Sequence, residues 1–215
     1  MILEVKDLKK SFGDTSVVNG SFTLEKGEHV ALTGPSGSGK STLLHLISGV
    51  LRPDSGSIQL NGTELTSLKE QELDAYRARH IGYVFQTFHL LEGLTVLENV
   101  ETAITFAGGK DYAPAKAVLE EMGLEGRLGF FPQQLSVGQC QRVAVARAIV
   151  NQPLLVLADE PTANLDRPRS EAVLQLLRES CRKSGAALLV VSHDEEAVKA
   201  FDRVVDFQSQ FGGAA

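Results

Sequence analysis

"HVALTGPSGSGKSTLLHLI", residues 29–47, decides the architecture. Its first residues run apolar like a buried strand, and its centre is Gly, Ser and one Pro. From Lys40 onward the apolar residues recur at helical spacing. Strand, glycine-rich turn and helix in that order build a cradle for a phosphate. Gly34, Pro35, Ser36, Gly37, Ser38, Gly39, Lys40 and Ser41 satisfy the pattern G-x-x-x-x-G-K-[ST] at every fixed position. The glycines let backbone N–H groups close around phosphate oxygens, and the helix start adds partial positive charge. Lys40 is placed to reach the β- and γ-phosphates and the Ser41 hydroxyl to bind Mg²⁺, with Thr42 next in the same turn. A plain Gly/Ser turn carrying a surface lysine is the alternative, and the flanking strand and helix argue against it.

Further along, "LLVLADEPT", residues 154–162, is an apolar strand ending in two carboxylates. Ligands of open α/β sheets bind at the carboxyl ends of the strands. Asp159 suits the Mg²⁺ shell there, and Glu160 could polarise a water for attack on the γ-phosphate. His193 ends the next apolar run, "AALLVVS", where it could contact the γ-phosphate. Gln86 closes "IGYVFQ" as a neutral amide able to bind Mg²⁺ or water. Taken singly, His193 and Gln86 would read as ordinary polar strand ends.

The organisation outside these segments is legible from periodicity. "ILEVKDL", "SVVNGSFTLE" and "GSIQLNG" read as strands in the first sixty or so residues, the last ended by an Asn-Gly turn. "SLKEQELDAYRARH" reads as a polar helix and "IGYVF" as a buried strand. From Thr95 to about Val150 the spacing is helical, broken at "AGGK" and "FFPQQ". Strand and helix then alternate: "LLVLA", a helix from Pro168 to Cys181, "AALLVVS", a helix at "DEEAVKAF", and "RVVDF". The tail "QFGGAA" looks low in complexity. The expected fold is α/β, with a mostly parallel sheet covered on both faces, an N-terminal antiparallel β-subdomain and a helical insert. Residues 1–86 and 151–215 form the core in this reading, and about 87–150 the insert.

With a formal net charge of −6, the 215-residue chain carries no general attraction for nucleic acid. Two cysteines, Cys140 and Cys181, make neither a disulfide framework nor a metal spacing, which fits a reducing compartment. No apolar run approaches the roughly 20 residues of a membrane-spanning helix. The N-terminus lacks the apolar core of a signal peptide. A cytoplasmic protein is expected.

One motif is left over. "LSVGQ", Leu135, Ser136, Val137, Gly138 and Gln139, opens another helix with a capping serine and a bare glycine N–H. It is a second anion-binding helix start, and one phosphate needs only one cradle. Together with residues 34–41, Gln86, "LLVLADE", "NLD" at Asn164, Leu165 and Asp166, and His193, it resembles the ABC-type ATPases over essentially the whole chain. Phe12 falls where that family stacks an aromatic on adenine.

The resemblance implies a P-loop NTPase core binding ATP and Mg²⁺. It implies an ATP-dependent homodimer in which 135–139 face the partner's γ-phosphate, and a transmembrane permease subunit as partner. Such a protein sits peripherally on the cytoplasmic face of the inner or plasma membrane. Two positions depart from the family: Val137 stands where glycine is usual, and Cys140 where a polar residue is common. "SGSGKSTLLHLISG", "HLLEGLTVLENV" and "VLADEPTANLD" look most like the lipoprotein-releasing and macrolide-export ATPases. A cell-division-like ATPase that gates a membrane partner without cargo is the alternative. Soluble ABC proteins of DNA repair or ribosome work carry a coiled-coil insertion or tandem cassettes, and this chain shows neither. A small-molecule P-loop kinase would leave "LSVGQ" unexplained.

Overall fold

The computed structural model describes residues 1–163, 167–193 and 197–212. Two sheets are formed. The first is antiparallel, in the order β2-β1-β4-β5, from β1 (Leu3–Phe12), β2 (Thr15–Leu24), β4 (Ser55–Leu60) and β5 (Thr63–Glu64). Leu60 pairs with Thr63 across Asn61 and Gly62, both at positive φ, which is the tight turn that Asn-Gly favours. The second sheet is parallel, in the order β6-β7-β8-β3-β9. It contains β3 (His29–Thr33), β6 (Ile81–Val84), β7 (Leu155–Asp159), β8 (Ala187–Val191) and β9 (Arg203–Asp206).

The central strands β7 and β8 are buried along nearly their whole length, as strands covered on both faces must be. Their side chains divide by alternation. Leu155, Leu157, Leu189 and Val191 join one apolar core with β1, β2 and the helix α1 (Lys40–Ile47). Val156, Ala158, Leu188 and Val190 join a second core on the opposite face. That second core is built by α3 (Val96–Phe106), α4 (Ala113–Glu121), α5 (Val137–Ile149) and α6 (Arg167–Ser184). The polar helix α2 (Glu70–His80) leads into β6.

Register then gathers the site. Asp159 lies level with Val191, Val191 with Leu32, and Ala158 with Val84. The residues just after β3, β6, β7 and β8 therefore emerge along one edge.

The chain's end departs from expectation. Phe207, expected to end the strand "RVVDF", and Phe211, in the tail read as low in complexity, are the two ends of a short helix, α7 (Phe207–Phe211), both buried with ring centres 5.4 Å apart. Gly20 of β2 permits this docking, because a Cβ there would collide with the Gln210 carbonyl. The helix expected at "DEEAVKAF" falls partly on residues 194–196, outside the described residues. The next residues form a single 3₁₀ turn, Ala197–Ala200.

Candidate active site

The loop between β3 and α1 holds Gly34, Gly37 and Gly39 at φ +146°, +77° and +112°. Gly39 is required twice over. Its φ is unfavourable for any residue with a Cβ, and Val17 and Phe207 occupy the space a Cβ would need. The Lys40 side chain is drawn back along this loop, and its ammonium donates to the carbonyls of Gly34 (2.9 Å) and Pro35 (2.7 Å). The Ser38 hydroxyl is buried without a hydrogen-bond partner. This polar lining has the chemistry of an oxyanion cradle.

Ser41, in the first turn of α1, donates to Asp159 Oδ1 at 3.0 Å. Burial raises the Asp159 pKa. Ser41, His45 and Lys40 pull it down, while neighbouring Glu160 pushes it up. Such a carboxylate is short of positive charge. Glu160 itself sits at φ +45°, and its N–H donates to the Val191 carbonyl across the sheet edge at 3.0 Å. Left-handed backbone at a glutamate is strained, and such strain gathers at functional sites. Glu160 Oε2 lies 2.6 Å from His193 Nδ1. That pairing fixes the carboxylate's orientation, with the imidazole N–H donating when Nδ1 carries the proton.

A cavity of about 520 Å³ joins these groups, with Ser36, Lys40, Ser41, Thr42, Gln86, Glu160 and His193 on its wall. Phe12, half exposed at the end of β1, closes one side with its ring free of the core. Asn164, Leu165 and Asp166 lie outside the described residues; Ala163, just before them, borders the cavity. Among the described residues no three His, Cys, Asp or Glu side chains cluster as a metal site. The oxygens available to a cation are those of Ser41, Asp159 and Gln86.

The second motif does not reach this cavity. Ser136, Val137 and Gly138 border a separate hollow of about 650 Å³ against Ala172, Val173 and Leu176 of α6. Ser136 caps α5: its hydroxyl accepts from Gln139 N–H at 3.3 Å, and Gln139 Oε1 accepts from Ser136 N–H at 2.9 Å. Leu135 packs at the edge of the second core. Val137 is the first helical residue, without positive φ and largely exposed, so valine at this position carries no backbone strain. Gly138 also lacks positive φ, and a Cβ there would meet nothing within 4 Å. The chain's own fold gives no reason for that glycine. Cys140 is half-buried beside the Pro132 carbonyl, and burial raises its pKa, the opposite of an activated thiol.

Three features were not read from sequence: the Glu160–His193 pair, the anchoring of α5, and a stack behind Ser41. Gln141, almost fully buried, donates to the Pro161 carbonyl beside Glu160. His45, four residues after Ser41 and so on the same helix face, stacks on Tyr83. The i,i+4 relation was the available signal for His45.

A glycine-rich loop at a helix start, a hydrogen-bonded hydroxyl–carboxylate pair and a hydrogen-bonded Glu–His pair at one edge of a parallel sheet are the arrangement of a nucleotide-hydrolysing P-loop protein. The family description "ABC transporter" matches residues 17–163, and the chain belongs to that family as one of its ATPase cassettes. It is 44% identical over 212 residues to the lipoprotein-releasing system ATP-binding protein LolD of Geobacter metallireducens, covering 95% of this chain and 94% of that one. It is also 44% identical over 206 residues to the macrolide export ATP-binding/permease protein MacB of Rhodopirellula baltica. That match covers 93% of this chain but only 30% of MacB. Among solved structures, the dimeric post-hydrolysis ATP-binding cassette MJ0796 bound to ADP and Pi superposes with a TM-score of 0.85 at 35% identity. That superposition covers 96% of this chain and 94% of the other.

Proposed function

We propose that the chain powers a separate membrane permease of the lipoprotein-releasing or macrolide-export type, hydrolysing ATP as a homodimer with two shared sites. One observation carries this reading. The chain has two anion-binding helix starts that border different cavities, and Gly138 in the second has no intrachain reason to be glycine. A partner's γ-phosphate supplies that reason.

ATP lies with adenine against Phe12 and phosphates in the 34–41 loop. Lys40 exchanges the Gly34 and Pro35 carbonyls for phosphate oxygens. Glu160 takes the proton of an attacking water, and His193 holds Glu160 in place and borders the γ-phosphate. Gln86 is within the same cavity to orient water. Mg²⁺ fits the hard oxygens of Ser41, Asp159 and Gln86, since such an ion keeps waters and phosphate oxygens and needs few protein ligands. When bound, it neutralises charge on the phosphate oxygens. Asn164, Leu165 and Asp166 complete the dimer contact in this reading. Residues about 87–150 act as a helical subdomain carrying 135–139 against a core of 1–86 and 151–215.

No described helix is long and apolar enough to cross a membrane. In this reading the permease holds the protein on the cytoplasmic face. Its docking surface in this reading is an apolar groove of about 290 Å³ that includes Leu91, Pro153 and Phe106, the last 77% exposed.

The test compares two variants. Ser136→Arg should bind ATP as the free chain like wild type yet lose turnover, because the guanidinium blocks the partner's γ-phosphate. Lys40→Ala should lose binding itself, by about 1.5–3 kcal/mol for a charge-assisted contact. Equal loss of binding in both variants would place 135–139 in the chain's own site and refute the dimer.

A further inference from the structure

α5 is tied to the nucleotide site at a second point, two turns and more beyond "LSVGQ" (135–139), the signature motif that opens it. From this helix Arg147 forks onto the loop that follows Gln86. One guanidinium nitrogen donates to the Phe88 carbonyl and the other to the His89 carbonyl, each at 2.6 Å. Those two residues have φ of +52° and +45°, neither is glycine, and they are consecutive. Left-handed backbone is unfavourable for any residue with a Cβ, so two in succession need something to hold them. The fork is that restraint.

The loop is fixed on its other side as well. Leu91 N–H donates to Asn99 Oδ1 at 2.8 Å, and the buried Asn99 amide returns bonds to the carbonyls of Leu91, Leu94 and Thr95. The His89 ring packs on Phe85 (4.7 Å), Phe85 on Tyr83 (4.2 Å) and Tyr83 on His45 (6.0 Å). This ladder runs from the clamped loop to α1, one turn past Ser41. Gln86, between Phe85 of the ladder and Phe88 of the fork in sequence, stands on the wall of the nucleotide cavity.

We infer that Arg147 is a positioning residue for ATP hydrolysis, through which the signature helix sets where the Gln86 side chain stands. The inference rests on the assignment of Gln86 to the nucleotide site. The helix start that meets the partner's phosphate and the guanidinium that holds the loop belong to one rigid rod, roughly 17 Å apart at 1.5 Å per residue. Any displacement of α5 is thus delivered to Gln86 without passing through the nucleotide. Because the held conformation is strained, losing the fork lets the loop relax away from it rather than stay.

The experiment measures steady-state ATP hydrolysis and ATP binding on the full chain, for wild type, Gln86→Ala, Arg147→Met and Arg147→Lys. It adds Arg147→Met combined separately with Phe88→Gly and with His89→Gly. Arg147→Met should lower kcat by at least about tenfold with KM within about threefold, the signature of misplaced rather than lost contacts. Either glycine, adopting positive φ without strain, should recover about threefold or more of that loss. A residue that merely supported α5 would show no such recovery.

Arg147→Lys brings one point charge that cannot span two carbonyls, and should also lower kcat at unchanged KM. It decides the matter should Arg147→Met fail to fold. Wild-type kcat in the soluble Arg147 variants, or a loss that neither glycine relieves, overturns the inference. Wild-type turnover in Gln86→Ala would instead remove the Gln86 assignment, and the inference with it.

Discussion

At the residue scale, two positions carry the account. Glu160 is held by three constraints at once: its left-handed backbone, its N–H bond to Val191 and its pairing with His193. Glu160→Gln keeps the shape and the hydrogen-bonding reach but removes the proton acceptor. Phosphate release should fall about 10²–10⁴-fold while ATP binding stays near wild type. Release within about threefold of wild type would exclude Glu160 as the base, since that falls far short of the range a base contributes. Gly138 is the second position. Gly138→Ala places its methyl in open space on a helical backbone, so the free chain should be at least as stable as wild type. Alanine is the better helix former by up to about 1 kcal/mol. Turnover should nonetheless drop, because the methyl meets the partner's nucleotide. Urea unfolding and an ATPase assay on the same preparation check both halves. A destabilised but fully active variant would show that the glycine serves the fold.

At the element scale, the start of β3 makes stability depend on pH. His29 is fully buried. Burial pulls its pKa down; Asp202 and the Ala186 backbone oppose, while Arg182 and Arg178 push the same way as burial. The unfolded chain takes up this proton near pH 6.5, and the folded chain resists it to lower pH. Stability from His29 is therefore complete above about pH 6.5 and declines below it, by at most about 1.4 kcal/mol per pH unit. His80, also lowered by burial and by Arg79, adds in the same direction. Urea midpoints at pH 7.5 and 5.5 should diverge less in His29→Leu than in wild type; an identical slope would clear His29. Elements with strong local signals were legible from sequence. β7 and β8 are continuous apolar runs, the Asn61-Gly62 turn has its own chemistry, and α5 begins at a serine cap. α7 was not legible, because its two aromatics look like a strand end and a tail until Gly20 of β2 brings them a floor. The site was read residue by residue, yet its pairings were hidden. The Glu160–His193 bond and the Arg147 fork depend on positive φ at non-glycine residues, which no periodicity reports.

At the scale of the whole molecule, the fold sets the two glycine-bearing helix starts on different cavities. The 34–41 loop opens α1 at the carboxyl edge of the parallel sheet, and the 135–139 helix start opens α5 beside α6. No rearrangement of a few side chains brings them together within one chain. In the proposed dimer, two chains facing head to tail do so, with each loop opposite the other's 135–139 motif. Mixing two inactive variants tests this most directly. Lys40→Ala has an intact signature and a spoiled loop, and Ser136→Arg has the reverse. Each alone should hydrolyse ATP at background rate. When they are mixed, the heterodimer contains one site built from the Lys40 of one chain and the Ser136 of the other, and ATP hydrolysis should appear. A mixture no more active than the sum of its parts, with both variants folded, would contradict the shared site.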